Sequence, residues 1–316
     1  MLDASDAFDD AQGSVPRPVR VTRDRLHVVS AKVGLGSRIR QIWIYRPLLI
    51  SLVRKELSVK YKNSVLGFVW SMLNPALTLV VYYVVFQLVF KNGTPQFAIF
   101  LLCGLVVWNF FTASLMGATS AVVSNAGIVK KVAFPREVLP LAAVGSSMVF
   151  FFLQAIVLAI ALIVARDVPA FSYLPELAVA IIALTIFTGA LAVFLSAVNV
   201  YFRDTQHLLE IVLMAWFWAT PIVYPFQLIG ASLARHHLSW VFFVNPMTSI
   251  IITFQRALYA KVNPVNSAGT VVHILPANSP IWYLGELGIV VLVSTILFAL
   301  ALQVFGRMEG NFAEEL

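Results

Sequence analysis

The chain alternates long apolar stretches with short polar connections. A helix needs about 20 apolar residues to cross a hydrocarbon layer of roughly 30 Å, because each residue adds about 1.5 Å along its axis. Six stretches that contain no Asp, Glu, Lys or Arg reach that length: residues 63–90, 92–129, 138–165, 177–202, 211–234 and 287–306. The pattern therefore predicts an all-α, polytopic membrane protein with six transmembrane helices.

Between residues 225 and 281 the apolar pattern is interrupted. The dipeptide Asn245-Pro246 divides it. One cation, Arg235, precedes this dipeptide, and further cations and prolines come after it: Arg256, Lys261, Pro264, Pro276 and Pro280. Proline removes a backbone donor and disrupts a regular helix, so a single spanning helix is not expected here. We expect two short re-entrant or interfacial helices instead.

The first 62 residues precede the apolar stretches and differ from them in composition. Residues 1–36 are polar and begin with clustered aspartates, which predicts a flexible arm, and no apolar signal-peptide core is present in them. Over residues 37–62 apolar positions recur at helical spacing among many cations. We therefore expect an amphipathic helix lying at the membrane interface.

Composition and charge support a membrane location and suggest an orientation. The chain is 60% hydrophobic and only 12% charged, with a mean hydropathy of +0.87, which a soluble protein of 316 residues could not accommodate. If residues 225–281 do not cross, 17 of the 22 Lys and Arg fall on one side, which the positive-inside bias makes cytoplasmic. A crossing by residues 225–281 would place the C-terminus on the opposite side of the membrane, and charge alone does not decide between the two topologies. Anionic headgroups account for the net charge of +7, so no nucleic-acid partner is expected.

Catalytic and energy-coupling motifs are missing from the sequence. There is no G-x-x-x-x-G-K-[ST] phosphate-binding loop, no HExxH, no G-x-S-x-G, and a single cysteine, Cys103. The carboxylates Asp204, Glu210 and Glu286 fall near predicted span ends, whereas proton-coupled carriers place one near the bilayer midplane. We expect neither an enzyme nor a bound metal or cofactor, and we expect the energy to come from a separate subunit.

The connection between the second and third spans, SNAGIVKKVAFPRE at residues 124–137, is short and basic. Its apolar positions around Lys130-Lys131 are typical of a short helix parallel to the membrane, which Pro135 would end. Phe134 could then dock in a groove on a partner. The alternative is a basic loop that only fixes topology.

Four segments resemble the permease subunits of type-2 ABC exporters, in the branch that exports polysaccharides and polyol phosphates. They are residues 60–77 (KYKNSVLGFVWSMLNPAL), 125–141 (NAGIVKKVAFPREVLPL), 201–225 (YFRDTQHLLEIVLMAWFWATPIVYP) and 245–259 (NPMTSIIITFQRALY). The resemblance extends from about residue 38 to residue 307. The long arm before residue 38 departs from it.

The resemblance implies a function and an assembly. Such permeases export O-antigen, teichoic acid or galactan chains linked to a polyprenyl pyrophosphate carrier through the cytoplasmic membrane, with a separate ATPase subunit that binds ATP and Mg. It also implies a coupling helix within residues 125–137, external gate helices within residues 238–261, and a cytoplasmic tail at residues 307–316, with both termini cytoplasmic. The contact face expected on the coupling helix is Ile128, Lys130, Lys131, Phe134 and Arg136.

Two further residue sets are expected to meet lipid or substrate. Cations at the inner entrance could meet lipid phosphates or the carrier's pyrophosphate, although ordinary headgroup anchoring is the alternative for each: Arg54, Lys55, Lys60, Lys62 and Arg203. Aromatic rings cover the apolar faces of sugars while leaving hydroxyls hydrated, so nine rings are candidates for a glycan channel. They are Trp70, Tyr82, Tyr83, Phe86, Trp108, Phe111, Trp216, Phe217 and Trp218. Interfacial anchoring or packing is the alternative for these rings.

Six spans are too few to enclose a wide conduit, so a homodimer of permeases with two ATPase subunits is expected. Three other functions compete with glycan export. An exporter of drugs or small amphiphiles in the same superfamily is the nearest alternative. A membrane glycosyltransferase would need more carboxylates than Glu137, Asp204 and Glu210, and a structural anchor would have no ATPase partner.

Overall fold

The computed structural model describes residues 34–61, 69–89, 94–167, 169–226, 240–259, 274–276 and 278–316, and all regular structure in these residues is helical. Nearly all of the predicted flexible arm lies outside the described residues. The helices are α1 Leu35–Ile44, α2 Arg46–Tyr61, α3 Val69–Tyr83, α4 Phe97–Ser124, α5 Ala126–Val129, α6 Val138–Ala165, α7 Leu174–Tyr201, α8 Thr205–Trp218, α9 Trp240–Val244, α10 Pro246–Leu258, α11 Pro280–Met308 and α12 Phe312–Glu315.

Within the described residues, four helices are long and apolar enough to cross a membrane. Helices α4, α6 and α7 have 28 residues each and α11 has 29, which corresponds to about 42 Å along the axis. They coincide with the second, third, fourth and sixth predicted spans, and α6 has the predicted bounds. Helix α4 is buried on most of its surface by α6, α7, α8 and α10, and α7 pairs along its length with α11. This explains why α4 is apolar on all faces.

The first and fifth predicted spans are shorter in the described residues. Helix α3 contains Pro75 and continues as a π-helical segment, Val84–Val89. Helix α8 has 14 residues, about 21 Å, and ends at Trp218. It ends there because Pro221 has no amide hydrogen to continue the helix, and side-chain hydroxyls satisfy its last carbonyls. Thr220 Oγ1 donates to the Trp216 oxygen and Tyr224 Oη to the Trp218 oxygen, both at 2.8 Å.

The predicted interfacial helix 37–62 is divided into α1 and α2 at Tyr45. Pro47 lies in the first turn of α2, where its missing amide hydrogen is tolerated. For the same reason it cannot donate a backbone hydrogen bond to a carbonyl of α1, so the helix does not continue unbroken. The Arg46 guanidinium lies 5.1 Å from the centre of the Trp43 ring at this joint. Helix α2 then packs on α6, with Leu52 buried, and Ser146 Oγ donates to Glu56 at 2.7 Å.

Two short helices, α9 and α10, lie where short helices were predicted between residues 238 and 261. Asn245 caps α10 by accepting from the Met247 amide at 3.1 Å. The same side chain accepts from Trp216 Nε1 at 2.9 Å and donates to Thr220 Oγ1 at 3.0 Å. One asparagine therefore joins the start of α10 to the end of α8, and α10 is buried on nearly all sides by α4, α7 and α11.

Candidate coupling site and aromatic cluster

The α4–α6 connection, residues 125–137, contains the predicted short helix as a single turn, α5. The Val129 amide donates to the Asn125 oxygen at 3.1 Å and the Lys130 amide to the Ala126 oxygen at 3.0 Å. Asn125 Nδ2 donates to the Ala121 oxygen at 2.8 Å, which joins the turn to the last turn of α4. The connection is thus an ordered continuation of α4.

The predicted contact face of this connection divides into exposed and inward-facing residues. Ile128 is 40% exposed, Lys130 and Lys131 are exposed, and the neighbouring Val132 is 55% exposed. Phe134 is half-buried against the protein's own apolar cluster, which includes Leu52 and Val129. Arg136 is half-buried and also faces inward. The exposed tip, residues 127–133 apart from the buried Val129, is therefore the part of the predicted face that a partner could contact in this structure.

Four charged side chains meet at one end of the helices, and we call them the charge cluster: Arg38, Arg136, Glu137 and Glu309. Arg38 of α1 forms an ion pair with Glu137, which immediately precedes α6, and its Nη1 lies 3.4 Å from Glu309 Oε2. Arg136 Nη1 donates to the Glu309 backbone oxygen at 2.6 Å, and its Nε lies 3.9 Å from Glu309 Oε1. Arg38 and Glu137 are only 8% and 2% exposed. Two cations thus balance two carboxylates.

The C-terminal residues close around the charge cluster. Gly306 lies so close to the Arg38 guanidinium that a methyl group at this position would overlap it. Phe312 is fully buried, with its ring centre 5.3 Å from that of Phe305 and 6.1 Å from that of Tyr201. Tyr201 Oη donates to the Met308 oxygen at 2.8 Å. The predicted tail is therefore packed against the ends of α7 and α11.

The predicted entrance cations are found in different settings. Arg54, Lys55 and Arg203 are exposed, and Lys55 Nζ also donates to Asn125 Oδ1 at 3.2 Å. The side chain of Lys60 and all of Lys62 lie outside the described residues. A role for these cations at an entrance or at lipid phosphates stays a prediction.

Six of the nine predicted channel aromatics pack together with Phe187 between α3, α4, α7 and α8. We call this set the aromatic cluster: Tyr82, Phe86, Trp108, Phe111, Phe187, Trp216 and Phe217. Ring centres are 5.7 Å apart for the stacked pair Tyr82 and Phe217, 5.8 Å for Phe111 and Phe187, and 5.2 Å for Phe111 and Trp216. Such offset and edge contacts add to the stabilisation from burial.

Exposure differs within the predicted channel set. Trp108, Phe111 and Phe217 are at most 8% exposed and act as core packing in this structure. Tyr83 and Trp218 are 37% and 50% exposed, and the side chain of Trp70 lies outside the described residues. Lining of a glycan path by any of them stays a prediction.

Comparison with known proteins gives a family. The sequence profile of the ABC-2 type transporter matches residues 47–259. This chain belongs to the ABC-2 type transporter family. A Myxococcus xanthus protein named O-antigen export system permease protein RfbA is 34% identical over 278 residues, which cover 88% of this chain and 98% of that protein. A Klebsiella pneumoniae protein with the same name is 30% identical over 269 residues, covering 85% and 95% respectively.

The ABC-2 region begins within α2 and ends just after α10. It contains the α4–α6 connection and the whole aromatic cluster, whereas Arg38 and Glu309 lie outside it. Sequence reasoning missed the pairing of Arg38 with Glu137 and Glu309, because these residues are 99 and 271 positions apart. The available signal was the placement of single charges beside the ends of apolar stretches.

Proposed function

We propose that this chain is the permease subunit of an ABC exporter that carries a polyprenyl-pyrophosphate-linked polysaccharide outward across the cytoplasmic membrane. The observation that carries the proposal is the ABC-2 region, which extends over residues 47–259 and contains the exposed tip of the α4–α6 connection. The names of the two relatives, O-antigen export system permease proteins, give the substrate class.

A separate ATPase subunit supplies the energy in this proposal. The chain has no phosphate-binding loop of its own, so nucleotide and Mg bind to the partner. The tip combines apolar Ile128 and Val132 with basic Lys130 and Lys131, which suits an apolar groove with an acidic rim. Closure of the ATPase dimer would push on this tip and move α4 and α6, which it joins.

Topology and assembly complete the proposal. Six spans result if α3, with residues beyond its described ends, and α8, with the non-helical residues that follow Trp218, both cross, and α9 and α10 then re-enter from the outer face. The charged end, defined by the charge cluster, is cytoplasmic, in agreement with the positive-inside bias. Two permeases and two ATPases form the working unit, because six spans do not enclose a wide path.

Depletion of the protein tests the substrate assignment. We expect polyprenyl-linked glycan to accumulate inside the cell while the surface loses the corresponding polymer. An unchanged distribution of glycan would exclude the exporter. If the purified complex responded to small amphiphiles with increased ATP hydrolysis, and depletion left the glycan unchanged, the small-amphiphile alternative would replace it.

Charge reversal at the tip tests the coupling assignment. Lys131→Glu should weaken co-purification of the ATPase and reduce surface polymer, whereas Arg307→Glu, an exposed cation at the same end but off the tip, should leave both unchanged. Phe134→Asp is a less specific variant because Phe134 also packs against the protein's own core. Normal export and normal ATPase binding by Lys131→Glu would contradict this location of the contact.

A further inference from the structure

The α4–α6 connection is held by α2 at its first residue and by α1 at its last residue. At its first residue, Lys55 of α2 donates to Asn125, whose amide nitrogen is bonded to α4. At its last residue, Glu137 pairs with Arg38 of α1. The exposed tip lies between these two attachments. A segment that is fixed at both ends moves together with the elements that hold it. These two attachments therefore determine which helices move when the tip is displaced.

The attachment at Glu137 is the stronger of the two. Glu137 and Arg38 are almost fully buried, and the pair lies between the ends of α6, α1 and α11. Charge-assisted hydrogen bonds strengthen when water is excluded, and breaking a buried pair is unfavourable because it leaves an uncompensated charge. The contact therefore keeps α1 and the start of α6 in one relative position.

Glu309 extends this attachment to the C-terminal end of α11. It faces Arg38 with one carboxylate oxygen and Arg136 with the other, while its backbone oxygen accepts from Arg136. Arg136 is also 5.9 Å from the centre of the buried Phe312 ring. The residues just before α6 are thus bonded to the end of α11, and α11 packs along α7.

We propose that Arg38 and Glu309 are positioning residues that make the α4–α6 connection transmit force, and this rests on the proposed function. Residues 132–137 are not helical and include Pro135, so on their own they would bend when the tip is pushed. The charge cluster prevents this by bonding their last two residues to α1 and α11. Movement of the tip then displaces α6 and α11 together.

Gly306→Ala is the sharpest test, because it retains every charge. The added methyl group overlaps the Arg38 guanidinium, which must shift, and we expect the shift to weaken its contacts with Glu137 and Glu309. Gly288→Ala on the same helix is the matched control, since nothing lies within 4 Å of the added methyl group there. Both changes replace a glycine of α11 by alanine, which favours the helix. Any difference between them reports the displacement of Arg38.

The readout is the amount of polymer exported for each ATP hydrolysed. The rate at which pulse-labelled polysaccharide reaches the cell surface, per complex, is divided by the ATPase rate of the same purified full complex. Gly306→Ala should lower this ratio by about tenfold, in the range of typical coupling between sites, with ATPase binding retained. Gly288→Ala should match the wild type.

Two further changes keep the test decisive if Gly306→Ala does not accumulate. Glu309→Gln preserves shape and removes one charge, and it should lower the ratio severalfold, whereas Glu314→Gln, exposed in the same tail, should not. Lys55→Ala should lower the ratio, whereas Lys55→Arg, which keeps a donor for Asn125, should not. Lys55 is exposed, so folding should not depend on it.

A purely structural role for the cluster would lower yield and thermal stability but leave the ratio unchanged, and that result would overturn the proposal. Failure of the proposed function is distinguishable from this, because the wild-type complex would then export no labelled polymer. Equal ratios for Gly306→Ala and Gly288→Ala in folded complexes would likewise overturn it.

Discussion

The two ends of the helices differ in their main side-chain contacts. At the charged end, side chains of opposite charge meet across α1, α6 and α11, beside one tyrosine hydroxyl, Tyr201 Oη, that donates to the Met308 oxygen. At the other end, which we call the tyrosine end, three hydroxyls donate to backbone carbonyls. Tyr259 Oη donates to the Pro95 oxygen at 2.6 Å, Tyr283 Oη to the Pro276 oxygen at 2.8 Å, and Tyr173 Oη to the Asn278 oxygen at 3.0 Å.

The difference concerns what each kind of contact connects. A tyrosine hydroxyl that donates to a carbonyl fixes the backbone of a loop, and its net contribution is about 1 kcal/mol. A buried ion pair joins two elements through their side chains, and the loss of either partner is strongly destabilising because it leaves an uncompensated charge. In the proposed function, force enters at the charged end, where ion pairs connect the helices. At the opposite end, tyrosine hydroxyls bind the backbone carbonyls of loops.

Removal of one carboxylate from the charge cluster should have the largest effect. Glu137→Ala leaves Arg38 buried with only Glu309 at 3.4 Å, and we expect the free energy of unfolding in detergent to fall by about 3–5 kcal/mol. Denaturant titration of the purified protein measures this. Glu314→Ala, at an exposed carboxylate of the same tail, is the control, and an equal effect of both would remove the contrast between the two ends.

Arginine-to-lysine changes should separate the two ends next. Arg38→Lys replaces a planar guanidinium facing two carboxylates by a single ammonium, so we expect a loss of about 2 kcal/mol. Arg256 at the tyrosine end donates to Tyr173 Oη at 3.2 Å and lies 4.7 Å from its ring centre. Arg256→Lys should cost about 1 kcal/mol or less. A larger loss for Arg256→Lys, measured by the same titration, would reverse the comparison.

Removal of one hydroxyl from the tyrosine end should have a smaller effect. Tyr259→Phe retains the buried ring and its edge contact with Phe100, but leaves the Pro95 oxygen without this donor. We expect a loss of about 1 kcal/mol in the free energy of unfolding. Tyr83→Phe, at a tyrosine that is 37% exposed, should change it by less than about 0.5 kcal/mol. A loss above about 3 kcal/mol for Tyr259→Phe would make the two ends equivalent.

The exposed tip should contribute least to stability. Lys130→Ala and Lys131→Ala remove charges on exposed side chains, so each should change the free energy of unfolding by less than about 0.5 kcal/mol. ATPase binding, measured by co-purification, should fall in the same variants. A loss of stability of the size expected for Glu137→Ala would show that these lysines also belong to the charged end.

Much of the architecture was predictable because it depends on local quantities. The length of an apolar stretch is compared directly with the thickness of a membrane, and α6 appears with its predicted bounds. The short turn at Ala126–Val129 and the pair of short helices around Asn245 followed from composition and proline positions. Four motifs in order led to the family that the ABC-2 profile match shows.

The site was less predictable because its geometry depends on packing. Phe134 and Arg136 were predicted as partner contacts, yet the structure turns both toward the protein's own core and tail. Trp108 and Phe111 were predicted to line a channel, and here they pack against other rings. The segment and the residue types of the contact face stay a prediction from the sequence. The sequence did not identify which side of the segment each residue occupies.

The sequence by itself determined that this protein is an all-helical membrane permease, because apolar length, charge placement and motif order are properties of short segments. Only the tertiary structure decided that Arg38 meets Glu137 and Glu309, across 99 and 271 positions of sequence. Such a meeting depends on how α1, α6 and α11 approach one another, and on the absence of a side chain at Gly306. No local pattern encodes those approaches, since each charge alone is typical of any residue next to the end of an apolar helix.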